Sequence, residues 1–245
     1  MNFLNVSVLT LALGASVLGG CSDDSSDDSG TGSVSVRAYG ESFIEEGIPA
    51  RDVDDGWAIE FSRFDVTLRH ISVGGVVLAE PAPVGVHEPS DGEGHEVGTV
   101  SVAVGNHESP SFSVMKAEIE GSAEREGVTK KFSWSFDSPT HYSHCETTTL
   151  VQKDETAVFQ ITLHADHLFY DSLVAEEPQL LFQPLADADA DADGELTAAE
   201  LGEADIGAYD PGNEDISDLW SFLVAQQRTL GHVDGEGHCE ANPAD

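Results

Sequence analysis

From Ser33 to about Leu163, apolar and polar residues alternate with a period of two. Val34, Val36 and Ala38 alternate with polar neighbours, as do Trp57, Ile59 and Phe61, and then Val66 and Leu68. Phe132, Trp134 and Phe136 repeat the pattern, and so do Phe159, Ile161 and Leu163. Such alternation lays a row of apolar side chains along one face of a half-buried strand. Phe112 and Val114 are followed by Met115, Ala117 and Ile119, a one-residue change of phase that predicts a β-bulge. Turn residues punctuate the runs at Gly74-Gly75, Pro89-Ser90-Asp91-Gly92, Gly105-Asn106 and Asp154-Glu155. About eight or nine short strands at this spacing predict a mainly β fold, an antiparallel β-sandwich or barrel, over residues 33–163.

After His164 the pattern changes. Asp166 to Val174 and Glu177 to Ala186 read as short helices, limited by Pro178 and Pro184. Ser217 to Ala225 is a stronger helix: Ser217 can cap it, Asp218 sits at its positive end, and Leu219, Phe222 and Leu223 share a face. Residues 164–245 are therefore expected to be a helical region packed on the sheet.

Charge narrows the function. In 245 residues, 46 Asp and Glu stand against 10 Lys and Arg, for a formal net charge of −36. Unaided binding to nucleic acid or to anionic lipid is excluded, because phosphate contacts need a basic surface. The acidity suits either a solvated face tuned to a salty medium or a surface that gathers cations. Only four of the basic residues are lysines, which fits the first reading. No uncharged run after residue 20 approaches the roughly 20 residues of a membrane-spanning helix.

Residues 1–20 carry no charged side chain and hold the apolar run Val6 to Leu18, which reads as a secretory signal. The run closes on Leu18-Gly19-Gly20-Cys21. This stretch resembles the lipobox of bacterial lipoproteins. The resemblance implies that Cys21 is acylated and becomes the new N-terminus, a membrane attachment through lipid alone. Ser22 in place of an Asp after the cysteine implies the outer membrane. The rest of 21–32 is Asp, Ser, Gly and Thr, and reads as a flexible tether.

With Cys21 set aside, Cys145 and Cys239 remain. In an exported chain a single pair is most simply one disulfide, which would tie residues 164–245 back to the β region. It would close a long loop, worth roughly 4–5 kcal/mol in the chain-entropy account. The alternative is two thiols that bind metal beside their histidines.

Residues 189–200 read Asp189-Ala190-Asp191-Ala192-Asp193-Gly194-Glu195-Leu196-Thr197-Ala198-Ala199-Glu200. Carboxylates at every second residue can all be aimed inward by a curling backbone, and Gly194 permits the sharp turn. The stretch resembles a complete EF-hand loop. The resemblance implies calcium held by Asp189, Asp191, Asp193, the Glu195 carbonyl, Thr197 and Glu200, within a helix-loop-helix. EF-hands usually come in pairs and no second loop is found, so the implied affinity is weak, about 10⁻⁴–10⁻³ M, and the calcium structural. The alternative is a solvated Asp-Ala linker.

Ten histidines are many for this length. His141 and His144 precede Cys145, while His232 and His238 precede Cys239. A Cys145–Cys239 disulfide would bring these four imidazoles together, and with a carboxylate such as Asp234 or Glu236 they would suit zinc or copper. His164 and His167 would share a face on a helix. His87 and His95 flank Asp91-Gly92-Glu93-Gly94-His95, which echoes Asp234-Gly235-Glu236-Gly237-His238.

No Gly-x-Ser-x-Gly, phosphate-cradling loop or His-Glu-x-x-His is present, so the chain is expected not to be an enzyme. The first functional reading is an exported, lipid-anchored, calcium-stabilised binding module with an unidentified envelope protein as partner. The second is a periplasmic zinc- or copper-handling protein that uses the histidines. A metal-dependent hydrolase is a third.

Overall fold

The computed structural model describes residues 30–244. The export segment, Cys21 and all but the end of the tether lie outside the described residues. The chain is mainly β. Its first strands are β1 (Thr31–Tyr39), β2 (Ala58–Val73), β3 (Val76–Val77), β4 (Val84–Gly85), β5 (His95–Ala103), β6 (Gly105–Glu108) and β7 (Ser111–Arg125). They are followed by β8 (Val128–Phe136), β9 (Thr140–Ser143), β10 (Thr148–Val151), β11 (Thr156–Leu163), β12 (Glu195–Leu196), β13 (Gly231–Val233) and β14 (Glu240–Pro243). Four short helices, α1 (Glu41–Glu45), α2 (Gln183–Asp187), α3 (Ala198–Glu203) and α4 (Leu219–Gln226), and two 3-10 turns, Asp166–Phe169 and Gln227–Thr229, complete the elements among the described residues.

One sheet has the order β13-β11-β1-β5, and a larger one runs β12-β8-β7-β2-β3 with β4, β9 and β14 attached. Both are open, so the barrel expected as one alternative does not form. β6 and β10 make a separate ribbon. Pairing is antiparallel except at β1–β11 and β12–β8, which are parallel. The sequence signals for β1 and β11 carry no direction. Parallel neighbours need a long crossover, and here most of the fold lies between them.

The alternating residues behave as their period requires. Val34, Val36, Ala38, Phe159, Ile161 and Leu163 are all fully buried. The runs around Ile59 and Val66 are one 16-residue strand, β2, bent by register shifts. Thr67 pairs with Lys116 but Leu68 with Val114, so Met115 is the extra residue of a bulge, at the predicted change of phase. The bulge keeps both Val114 and Ala117 in the core. Gly74 and Gly75, at φ 58° and 76°, join Val73 to its partner Val76 in a two-residue hairpin. Gly105, expected in a turn, instead begins β6.

The C-terminal region is less helical than expected. In place of helices over 166–174 and 177–186 stand a 3-10 turn at Asp166–Phe169 and the five-residue α2. Irregular chain lies between them, with Tyr170 bridged to Leu180. The Asp55 carboxylate accepts the Phe182 and Gln183 N–H groups, anchoring the start of α2 on the loop before β2. In α4 the cap is Asp218, not Ser217: its side chain accepts the Ser221 N–H at 2.8 Å. Leu180, Leu185, Leu196, Leu201, Phe222 and Leu230 join the same continuous core as the sheets. Among the described residues no helix is long and apolar enough to cross a membrane.

Cys145 and Cys239 form a disulfide across a sequence separation of 94. It stands at the foot of the β9–β14 ladder, where Glu240 pairs with Ser143.

Candidate metal centre

β11 ends at Leu163, and the next residue, His164, is buried, its N–H bonded to the Leu230 carbonyl. The 3-10 turn that follows brings His167 round to the same side, with ring centroids 5.2 Å apart. β13 pairs antiparallel with the end of β11, setting His232 opposite Thr162. The His232 ring lies 4.2 Å from that of His164 and 5.1 Å from that of His167. Beyond β13, Asp234 and Gly235 take φ of 48° and 83°, and Val233 and Gly237 bond to each other across the turn. This returns the chain so that His238 lies 5.2 Å from His232, centroid to centroid. The His238 carbonyl accepts the Glu146 N–H, next to the disulfide. Imidazoles bound to one ion at about 2.0–2.1 Å place their ring centroids roughly 5 Å apart, a spacing that His164 and His167 have, while the His232 ring packs against both.

Carboxylates lie beside the imidazoles. His164, Asp166 and His167 each present a ligand atom within 4.8 Å of the others, and so do Glu41, His164 and Glu236. The two groups share His164. The Tyr170 hydroxyl donates to one of the Asp166 oxygens. The centre is graded outward, with His164 and His232 buried, His167, Asp166 and Glu41 half-buried, and Glu236 and His238 exposed.

Burial, reinforced by the charges of His164, His167 and His238, pushes the His232 imidazole down to about 3. Burial also lowers His167, against the opposing pull of Asp166. Burial raises Glu41, while His164 pulls it down. Neutral imidazoles at neutral pH keep a lone pair for metal. Among the described residues the buried His232 Nδ1 has no hydrogen-bond partner, which is costly unless something else satisfies it. For His167 the tautomer follows from its neighbour. The Thr229 hydroxyl donates to the Gln226 carbonyl at 2.8 Å, so toward His167 Nδ1, 3.0 Å away, it accepts. Nδ1 carries the proton, and Nε2 holds the lone pair.

The other histidines expected here lie elsewhere. His141 on β9 meets Ser113 Oγ at 2.9 Å, with His70 on the far side of that hydroxyl at 3.3 Å. His144 contacts Glu240 at the surface. The disulfide thus joins the two segments without bringing His141 and His144 to His232 and His238: their strand turns them away. His87 Nδ1 accepts the Phe64 N–H, and His95 Nε2 meets the Glu88 carbonyl. Of the two carboxylates proposed from sequence, Glu236 reaches the cluster, whereas Asp234 accepts from the Thr147 hydroxyl. Sequence reasoning missed Asp166, though His164-Ala165-Asp166-His167 displays it. It also missed Glu41, which only the parallel β1–β11 pairing brings near.

The acidic loop lies against β8. Asp189, Asp191 and Asp193 present oxygens within 4.8 Å of one another. One Asp189 oxygen accepts the Asp193 N–H, and the other accepts both the Gly194 N–H and the Lys130 ammonium. That ammonium, more than any other contact, holds Asp189 below the usual carboxylate range. Thr197 and Glu200 form a reciprocal capping box at the start of α3, and these bonds lower Glu200. Glu195 and Leu196 pair in parallel with Lys131 and Phe132, and the Trp134 indole donates to the Leu196 carbonyl.

No protein-family model, curated protein or solved structure matches the chain.

Proposed function

We propose that this chain is an exported, lipid-anchored metal-handling protein of the bacterial envelope that binds zinc or copper at His164, His167 and Asp166, with His232 and His238 beside them. The observation that carries the reading is the approach of ligand atoms of His164, Asp166 and His167, from the end of β11 and the 3-10 turn, to within 4.8 Å of one another, with the His232 ring of β13 packed against both imidazoles. Imidazole with carboxylate is a donor set for borderline divalent ions. The disulfide fits an oxidising compartment, and the lipobox resemblance at Cys21 supplies the address. A net charge of −36 draws cations toward the surface.

The framework is read as a β-sandwich, its two larger sheets contributing inward rows such as Val36 and Phe159 against Val66 and Ile119 to one core. The acidic loop is read as an EF-hand-type calcium site between α2 and α3, with β8 standing where a second loop would pair. Calcium there ties the C-terminal region to the larger sheet.

The test is calorimetric titration of chelator-stripped protein with zinc and with copper(II), in saturating calcium. Wild type should bind one of them, and a His164→Ala, His167→Ala variant should bind it at least about a hundredfold more weakly. Equal affinity in that variant would leave the second reading, a calcium-stabilised module that recognises an envelope protein. That reading is favoured by the register of Asp189, Gly194 and Glu200.

A further inference from the structure

Glu41 and His164 meet through register. β1 and β11 run parallel with Tyr39 opposite Thr162, so two residues further on Glu41 and His164 leave the sheet side by side. Gly40 allows the departure: a Cβ there would stand 2.1 Å from the Val86 carbonyl oxygen. Glu41 then takes φ 46°, in the left-handed region, which a non-glycine residue holds only where its surroundings impose it. Its Oε1 lies 3.4 Å from His164 Nε2. The Gly235 carbonyl oxygen, presented by the turn after β13, lies 3.2 Å from the same nitrogen. A carbonyl oxygen can only accept, so Nε2 carries the proton and the lone pair of His164 is on Nδ1.

We propose that Glu41 is the positioning residue of the metal centre: with the Gly235 carbonyl it holds His164 as the Nε2–H tautomer and directs Nδ1 at a zinc or copper(II) ion shared with His167 and Asp166. The inference rests on the metal-handling reading above and adds the group that sets the ligand's tautomer and basicity. A histidine ligand commonly donates its other N–H to a carboxylate or backbone carbonyl, and losing such a partner costs about 10–100-fold in metal affinity. Thr229 plays the corresponding part for His167, so the two imidazoles would enter through opposite nitrogens, Nδ1 of His164 and Nε2 of His167. The Glu236 carboxylate, on the exposed side, joins Glu41 around His164 and adds negative charge at the mouth.

The experiment uses the full chain, calcium-saturated and loaded with zinc alone. Long-range proton–nitrogen NMR of the labelled wild type should show His164 protonated at Nε2 and metal-bound at Nδ1. Glu41→Gln, isosteric and uncharged, should leave the melting temperature of the metal-free protein unchanged and weaken zinc about 10–100-fold, with one zinc ion per chain in both proteins. Three results would overturn the proposal: an Nδ1–H tautomer in the zinc-loaded wild type, unchanged zinc affinity in Glu41→Gln, or a second zinc ion lost in that variant, which would make Glu41 a ligand. If the wild type bound no zinc and no copper(II), the metal-handling reading itself would fall. The NMR arm needs no substitution, so a variant that failed to fold would not remove the test.

Discussion

The rings of His164 and His232 lie 4.2 Å apart, centroid to centroid, one just past the end of β11 and the other in the middle of β13. Their closeness has a consequence for stability. His232 is pushed down to about 3 by burial and by its neighbouring imidazoles, so the fold favours the neutral ring. Above about pH 6.5 the ring is neutral in both folded and unfolded chains, and its contribution is fully present. As the pH falls toward 3, the unfolded chain takes the proton first and stability is lost. Urea unfolding of the metal-free protein should show a loss of about 2–3 kcal/mol between pH 6.5 and 4.5 from this group. Glu41, raised by burial, works the other way. Comparison with His232→Gln, whose stability should vary less over that range, isolates the histidine. An equally steep profile in the variant would contradict the assignment.

Thr229 orients His167 without being placed to bind metal itself. Thr229→Val keeps the shape and removes the acceptor, so zinc or copper affinity should fall about 10–100-fold while the unfolding midpoint moves little. Titration calorimetry of the variant reads the first quantity, and urea unfolding reads the second.

Replacing Cys145 and Cys239 by Ser removes the bridge beside His238. Unfolding free energy should drop by about 2–5 kcal/mol. Metal affinity should drop as well, because His238 is held near His232 by the turn and by its carbonyl bond to the Glu146 N–H. Loss of stability with no change in zinc or copper binding would show that His238 is outside the centre.

Lys130 stands on Asp189 as a tethered cation. Calcium entering the acidic loop has to displace that ammonium, so Lys130→Met should tighten calcium binding by about 3–10-fold, the order expected for removing one competing charge. Glu200→Gln, which removes the closing carboxylate, should abolish binding. The Trp134 indole, hydrogen-bonded to the Leu196 carbonyl, is a fluorescence reporter for both titrations.

Strand positions were the most legible part of the fold, because burial on one face forces a period of two: every residue of the Phe132, Trp134, Phe136 row is buried. The Met115 bulge was legible for the same reason. The hairpin at Glu126-Gly127 was not, although both residues adopt positive φ between the paired Arg125 and Val128: one glycine in a charged stretch is a faint signal. Strand direction was hidden entirely, and with it Glu41, whose place beside His164 depends on β1 and β11 running parallel. Six histidines were proposed as ligands from their nearness in sequence to the cysteines and to one another. The structure gathers His164, His167, His232 and His238 and leaves out His141 and His144, because alternation along β9 turns His141 to Ser113 and because His144 is an exposed residue at φ 51°. The clustering of Asp189, Asp191 and Asp193 needed no tertiary information, since their spacing is local. The loop's support by β8 did.

The most direct test of the central claim is diffraction from crystals of the calcium-saturated protein grown with zinc, recorded on both sides of the zinc absorption edge. The account predicts an anomalous peak within about 2.0–2.2 Å of a ring nitrogen of both His164 and His167 and beside the Asp166 carboxylate. Zinc only in the acidic loop or at His141 and His144, or no ordered zinc, would contradict it.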